Sequence, residues 1–283
     1  MRVVHSPQKL RHALETLKKS GKTIGFVPTM GALHEGHLSL VRLSKKSADV
    51  TVVSVFVNPL QFGPGEDFKA YPRSLKRDRG LLRKARADFL FVPNAKALYP
   101  KGFQTRVAVG DLSRPLCGRT RPLHFAGVAT VVLKLLNLVM PDEIFLGQKD
   151  YQQFRVIEQM AKDLNVSVRI RLCPIIREKD GLAMSSRNYL LDAEERMQAT
   201  YLNRALGAAE TLIRRGVKKA LLLTQAMRKE LSAAGRAKID YAEIVDASSL
   251  LPVVQLKSGQ KVELALAVFF SKTRLIDNRL IRV

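Results

Sequence analysis

Short apolar runs alternate with amphipathic stretches through the first 175 residues. "TIGFVP" is a compact apolar run, and "DVTVVSVFVNP" is rich in the β-branched residues that suit a buried strand. "DFLFVP", "DEIFLG" and "VSVRIRLC" read as further strands. Between them lie segments of helical periodicity. These are the charged N-terminal stretch, Lys69–Arg86 with Leu75, Leu81 and Leu82 on one face, the largely apolar "AGVATVVLKLLNLVM", and the amphipathic "YQQFRVIEQMAKDLN". Strands alternating with helices predict an α/β fold built on a parallel sheet with crossover connections. Ligands in such sheets bind beyond the carboxyl ends of the strands, near the point where strand order reverses.

The pattern changes after Pro174. Ala193–Arg215 and Lys218–Ala234 are rich in Ala, Leu, Arg and Lys and read as helices. "IDYAEIVDA", "VELALAVFF" and "TRLIDNRLI" then read as antiparallel strands. The expected organisation is a larger domain over residues 1–175 and a smaller α+β domain over residues 176–283. No Pro- or Ser-rich linker separates them, so the boundary is expected to be a short hinge.

Composition narrows the class. Hydrophobic residues make up 46% and charged residues 26%, an ordinary globular balance. No window reaches the roughly 18 uninterrupted apolar residues of a membrane span, and the N-terminus lacks an apolar signal core. Cys117 and Cys173 are too few for a disulfide framework or a zinc ribbon, so both are expected to be reduced thiols in a cytoplasmic protein. The net charge of +23 raises a nucleic-acid surface as one reading. The densest run, Lys69–Arg86, carries eight basic residues against one acid, Asp78. No nucleic-acid module accompanies it and no aromatics are interleaved for base stacking. A solvated basic surface, with an anionic substrate taking a few of the charges, is the reading adopted.

Four segments carry candidate chemistry. In "PTMGALHEGHLSLV", His34 and His37 stand three residues apart, with Gly36 between them. Zinc-binding helices usually space such histidines by four, and no third ligand follows at an obvious spacing. Gly31 and Gly36 instead permit close approach at a helix N-terminus, where amides and dipole favour anions. Two imidazoles there suit a phosphate clamp, though two histidines capping a helix would give the same short pattern. In "REKDGLAMSSRNYLL", Met184, Ser185, Ser186 and Arg187 follow a turn at Asp180-Gly181. Two hydroxyls and a guanidinium suit a clamp on a polyphosphate. In "FLGQKDYQQF", Gly147 allows a turn and Lys149 can reach a phosphate. Asp150 can cap a helix or take a ribose hydroxyl, and Gln153 lies one turn on. In "VFVNPLQFGPGEDFKAYPRSL", Asn58 and Gln61 leave the carboxyl end of a strand. Their neutral amides suit a substrate with hydroxyl and carboxylate groups.

Taken with "RPLHFAGVATVVLKLLN" and "KTRLIDN", these segments make the chain resemble the pantoate–β-alanine ligases along essentially its whole length. The resemblance implies a Rossmann-like nucleotidylyltransferase fold. It implies condensation of pantoate with β-alanine at the expense of ATP, through pantoyl adenylate, releasing pyrophosphate and AMP. His34 and His37 would contact the phosphates. Lys149, Ser185, Ser186 and Arg187 would bind the triphosphate. Met30, Gly31, Gly147, Asp150, Ile176 and Met184 would complete the ATP contacts. Gln61 and Gln153 would bind the polar groups of pantoate, with Asn58 and Tyr71 nearby and Pro28, Met30, Phe62 and Val131 forming an apolar wall. Arg121 and His124 match family positions of less defined role. Magnesium would bridge the phosphates, with Asp78 a weak candidate for its hydration shell. Family members are commonly homodimers; no specific nucleic acid and no membrane is expected. Three positions depart from the family pattern: Leu123 and Ser271 stand where glycine is common, and Lys76–Arg79 is unusually basic. A related nucleotidylyltransferase acting on another acid is the nearest alternative, and a nucleic-acid-binding protein the more distant one.

Overall fold

A computed structural model describes all of residues 1–283. In chain order the elements begin with β1 (Arg2–Val4), α1 (Pro7–Lys19), β2 (Ile24–Thr29), α2 (Glu35–Ser47) and β3 (Val50–Val55). Next come α3 (Leu75–Lys84), β4 (Phe89–Phe91), α4 (Ala95–Leu98), α5 (Cys117–Thr120) and α6 (His124–Val139). They continue with β5 (Glu143–Gly147), α7 (Tyr151–Asp163), β6 (Arg169–Cys173), α8 (Ala193–Gln198), α9 (Tyr201–Arg214) and α10 (Ala220–Ser232). The chain closes with β7 (Ala237–Asp246), β8 (Lys261–Phe270) and β9 (Thr273–Arg282). The elements group into two units. The first holds residues 1–113, 121–148 and 153–174, and the second holds residues 114–120, 149–152 and 175–283. Two short segments from within the first 175 residues, 114–120 and 149–152, thus group with the second unit.

In the first unit six strands form a parallel sheet in the order β1-β4-β3-β2-β5-β6. It is an α/β Rossmann-like sheet. The β-branched run of β3 lies at its interior, with Val52 and Val53 fully buried. Strand order reverses between β2 and β5: β3 and β4 follow on one side of β2, and β6 follows on the other side of β5. β2 pairs with β3 over all six of its residues but with β5 only at Gly25↔Glu143 and Phe26↔Ile144. The two strands therefore leave the ladder before their carboxyl ends, which opens the crevice expected at a switch point. One core of this unit gathers Val27, Leu33, Leu40, Val53, Leu82 and Phe145.

The second unit packs α9 and α10 on a three-stranded antiparallel sheet, β7-β8-β9. Alternate residues of β8, from Val262 through Leu264, Leu266 and Val268 to Phe270, face this helical layer and are fully buried. Two helical expectations are trimmed. The stretch Ala193–Arg215 is two helices because the Thr200 hydroxyl donates to the Met197 carbonyl at 2.7 Å, competing with the helical ladder. The basic stretch from Lys69 becomes helical only at Leu75, since Pro72 disfavours helical geometry at the preceding Tyr71.

On the opposite face of β8, Glu263 is 3% exposed and its Oε2 has no hydrogen-bond partner. Burial pushes its carboxyl from the ordinary 4.5 up to about 8. A folded-state value above the unfolded one means that the native protein holds the proton more tightly. Stability is then fully present below pH 4.5 and lost as pH rises through about 8. Denaturant unfolding across this range is expected to show a decline on the order of a few kcal/mol that is absent in Glu263→Gln. Identical pH profiles for the two proteins would remove Glu263 as the cause.

Candidate active site

The histidine segment leaves β2 through a turn that is held from both ends. The Thr29 hydroxyl donates to the Ser54 carbonyl at 2.7 Å and accepts from the Gly31 N–H at 3.2 Å. Gly31 has φ +86°, and a β-carbon there would lie 3.0 Å from Val55 Cγ1 and 3.1 Å from Asp78 Oδ2. Ala32 follows at φ 49°, a left-handed conformation costly for alanine. It is stabilised by Asp78, which is 1% exposed in the first turn of α3. One carboxylate oxygen accepts from the Ala32 N–H at 2.9 Å and the other from the Leu33 N–H at 2.8 Å. Leu33, fully buried, anchors the end of the turn in the core.

His34 then occupies the N-cap of α2 in extended geometry, and His37 lies in the first helical turn. The rings lie with centroids 4.1 Å apart and planes tilted by 39°. The His34 backbone N–H donates to His37 Nδ1 at 3.4 Å, so Nδ1 serves as the acceptor in this contact. Both imidazoles are half-buried at a helix N-terminus, a setting suited to phosphate oxygens.

Beyond β3, Asn58 caps the short turn Pro59–Gln61. Its amide nitrogen donates to Gln61 Oε1 at 3.1 Å and to the Gly127 carbonyl at 3.0 Å, and its oxygen accepts from the Tyr99 hydroxyl at 2.8 Å. Asn58 is 1% exposed, so it orients Gln61 from behind. The Gln61 amide nitrogen meets Met30 Sδ at 3.1 Å. The Gln61 carbonyl is held by His124 Nδ1 at 2.9 Å and accepts from Arg121 at 3.2 Å, while Arg121 also grips Glu66. Gly127 lets this turn lie against α6: a β-carbon there would fall 2.2 Å from the Leu60 carbonyl oxygen. Phe62 packs edge-on against Tyr71, which is buried, as is Val131. Pro28, Met30 and Gln153 are half-buried, and Gly147 closes β5.

In the second unit Lys149 and Asp150 belong to a tight turn, with Nζ and Oδ1 3.7 Å apart. The segment after Arg177 is a pinned hairpin. Arg177 bridges to Ala183, and the Met184 N–H donates to the Ile176 carbonyl at 3.0 Å. Arg196 reaches Glu178 and Asp180, each at 2.7 Å. Ser185 caps the turn Ser186–Leu190 by accepting from the Arg187 N–H at 3.2 Å. Two hydroxyls and the guanidinium of Arg187 are thereby gathered on one short turn.

A family model described as pantoate-beta-alanine ligase matches residues 2–280. The chain belongs to the pantoate–β-alanine ligase family. Over 278 residues it is 52% identical to the pantothenate synthetase of Caldicellulosiruptor bescii, covering 98% of each chain. The crystal structure of pantothenate synthetase from Thermus thermophilus is similar at TM-score 0.93 and 45% identity, covering 99% of both chains. A pantoate–β-alanine ligase from Francisella tularensis, solved with β,γ-ATP and β-alanine, is similar at TM-score 0.80 and 35% identity, covering 99% of this chain and 97% of that one.

Within the ligase fold, Asp78 has a task other than metal binding. Both of its oxygens are committed to backbone amides, and burial, partly offset by those amides, pushes its carboxyl up. No three His, Cys, Asp or Glu side chains cluster so as to hold a metal ion. The motif reading missed Tyr99, Gly127 and the latching role of Asp78. A signal for Asp78 was present: as the one acid among eight bases it lies three residues after Leu75 and four before Leu82, on the apolar face of α3. Asp78→Ala leaves two buried N–H groups without an acceptor. It is expected to cost about 2–5 kcal/mol in denaturant titration, with Asp78→Asn losing less because its amide oxygen still accepts. A wild-type midpoint for Asp78→Ala would show that the latch contributes nothing.

Proposed function

We propose that the chain condenses pantoate with β-alanine in two steps that consume ATP. The pantoate carboxylate attacks the α-phosphorus in line, and pyrophosphate leaves as pantoyl adenylate forms. The β-alanine amine then attacks the acyl carbon, loses a proton and expels AMP. The first step requires neither a covalent enzyme nucleophile nor a general base, because the attacking carboxylate is already ionised. It requires positioning and stabilisation of charge on the phosphates.

The observation that carries this reading is the close, tilted imidazole pair at the N-terminus of α2, with His37 Nδ1 accepting from the His34 N–H. His34 and His37 would donate to phosphate oxygens as charge develops. Lys149, Ser185, Ser186 and Arg187 would take the triphosphate, Gly147 and Asp150 the ribose, and Ile176 and Met184 the adenine. Met30 and Gly31 would line the nucleotide's approach. Gln61 and Gln153 would hold the hydroxyl and carboxylate groups of pantoate against Pro28, Met30, Phe62 and Val131. Neutral amides favour this acid over a phosphorylated one, which would call for Arg or Lys. The Francisella tularensis relative solved with β,γ-ATP and β-alanine supports the choice of nucleotide and amine. Magnesium would enter with the nucleotide as part of the substrate.

We place the enzyme in the cytoplasm, in keeping with two buried cysteines outside any disulfide, and as a homodimer by family resemblance. No helix is long and apolar enough to cross a membrane.

Purified protein with MgATP and pantoate is expected to exchange pyrophosphate into ATP, and to release AMP once β-alanine is added. His34→Ala is expected to slow the exchange by about 10²- to 10³-fold at unchanged melting temperature. Absence of AMP with all three substrates present would overturn the reading. Equal activity with other hydroxy acids would shift the assignment to a related nucleotidylyltransferase.

A further inference from the structure

The motif "KTRLIDN" has no task in the scheme above, yet it holds two adjacent buried polar residues. Asp277 is 2% exposed and Asn278 is 3% exposed. Both lie on β9, where neighbouring side chains point to opposite faces of the sheet. The pair uses both faces.

On one face the Asp277 carboxylate accepts from both terminal nitrogens of Arg177, at 2.6 and 3.0 Å. The same guanidinium donates to the Gly181 carbonyl at 3.1 Å. Arg177 is thus fixed at the base of the hairpin whose second arm runs from Ala183 into Met184, Ser185, Ser186 and Arg187. On the other face the Asn278 amide nitrogen donates to the Lys149 carbonyl at 2.9 Å. The two halves are joined because the Asn278 N–H donates to Asp277 Oδ1 at 2.8 Å. An unbroken chain of hydrogen bonds therefore runs from the backbone of Lys149, through the thickness of the sheet, to the hairpin of Ser185 and Arg187. All of these residues lie within the second unit.

We propose that Asp277 and Asn278 are positioning residues for adenylate formation: they fix the backbone of Lys149 relative to the hairpin that bears Ser185, Ser186 and Arg187. The proposal rests on the reading that these four residues take the triphosphate. Three groups on one turn and a lysine on another stabilise a phosphate chain only if their spacing is held, and displacement on the 1 Å scale is costly. The bidentate Arg177–Asp277 pair is suited to that task, since the fork of guanidinium against carboxylate fixes orientation as well as distance. A lone buried ion pair would be weak evidence for a stabilising role. The continuation through Asn278 to a phosphate-binding lysine is what gives this pair a functional reading.

The two half-reactions separate positioning from mere structure. Pyrophosphate leaves in the first step, so supplied pantoyl adenylate reacts with β-alanine without the triphosphate contacts. Asn278→Ala removes the amide that holds the Lys149 carbonyl and leaves the Asp277–Arg177 pair in place. It is expected to slow pantoate-dependent pyrophosphate–ATP exchange by about 10- to 100-fold, and to leave aminolysis of saturating supplied adenylate within about twofold of wild type, any loosening of its ribose and adenine contacts being read in KM. Arg177→Lys keeps the charge but loses the fork, and is expected to show the same split should the first variant fold poorly. Loss of both half-reactions in parallel, or loss of neither, overturns the proposal. Lys149→Ala serves as the control. If it slows exchange while Asn278→Ala and Arg177→Lys do not, the positioning role alone falls. If Lys149→Ala leaves exchange intact, the triphosphate reading falls, and the proposal with it.

Discussion

The Asp78 carboxylate, grasping two consecutive backbone N–H groups, decides where the histidines of this ligase point. The turn after β2 must reverse direction within a few residues, and it does so through Gly31 and Ala32, both at positive φ. A left-handed alanine costs on the order of 1–2 kcal/mol, and two charge-assisted hydrogen bonds from Asp78 are enough to offset it. The carboxylate in turn can occupy this buried position because those N–H groups face it. Removing any part, whether the glycine, the acid or the buried anchor Leu33, frees the turn. The N-cap position of His34 and the close approach of the two rings depend on it.

A comparable arrangement holds Gln61. Its amide is aimed by Asn58, its carbonyl by Arg121 and His124, and the turn can approach α6 only because residue 127 lacks a side chain beyond hydrogen. The residue read as a substrate contact is therefore one member of a buried hydrogen-bonded set that includes Asn58 and Tyr99. Pantoate recognition, on this view, is preorganised by groups that pantoate need not touch.

The residues that sequence reasoning found and those it missed differ in kind. Periodicity revealed β2, β3, β5, α6 and the three C-terminal strands because each buries a face that repeats at its own period. Motif spacing singled out His34, His37, Lys149 and Ser185–Arg187 as candidates because those residue types are unusual where they stand. Asp78 looked like part of a basic, solvated run, Asn58 like an open donor, and Gly127 like one more small residue in an apolar helix. Their roles depend on contacts 46, 69 and 67 residues away along the chain, from Asp78 to Ala32, Asn58 to Gly127 and Gly127 to Leu60. No local pattern encodes such distances. The short β1 was missed for another reason: three residues give too little pattern to read, and its pairing with β4 is what makes it a strand.

The placement of acids gives the +23 charge a physical meaning beyond bulk composition. A triphosphate and a carboxylate substrate would be repelled by free carboxylates near the residues that bind them. In the first unit Asp78 is turned onto backbone amides and Glu66 onto Arg121. In the second, Glu178 and Asp180 are held by Arg196, and Asp277 by Arg177. Each of these acids shapes a loop while its charge is answered by a donor from the protein. On the proposed assignment, the imidazoles, Lys149 and Arg187 would be the groups left to answer an anionic substrate. Most of the remaining excess lies on exposed faces such as that of α3, where Lys76, Arg77, Arg79, Arg83 and Lys84 are solvated and screened within about 10 Å at ordinary salt. That surface charge raises the encounter rate with small anions at low ionic strength, whereas discrimination among them requires short-range donors.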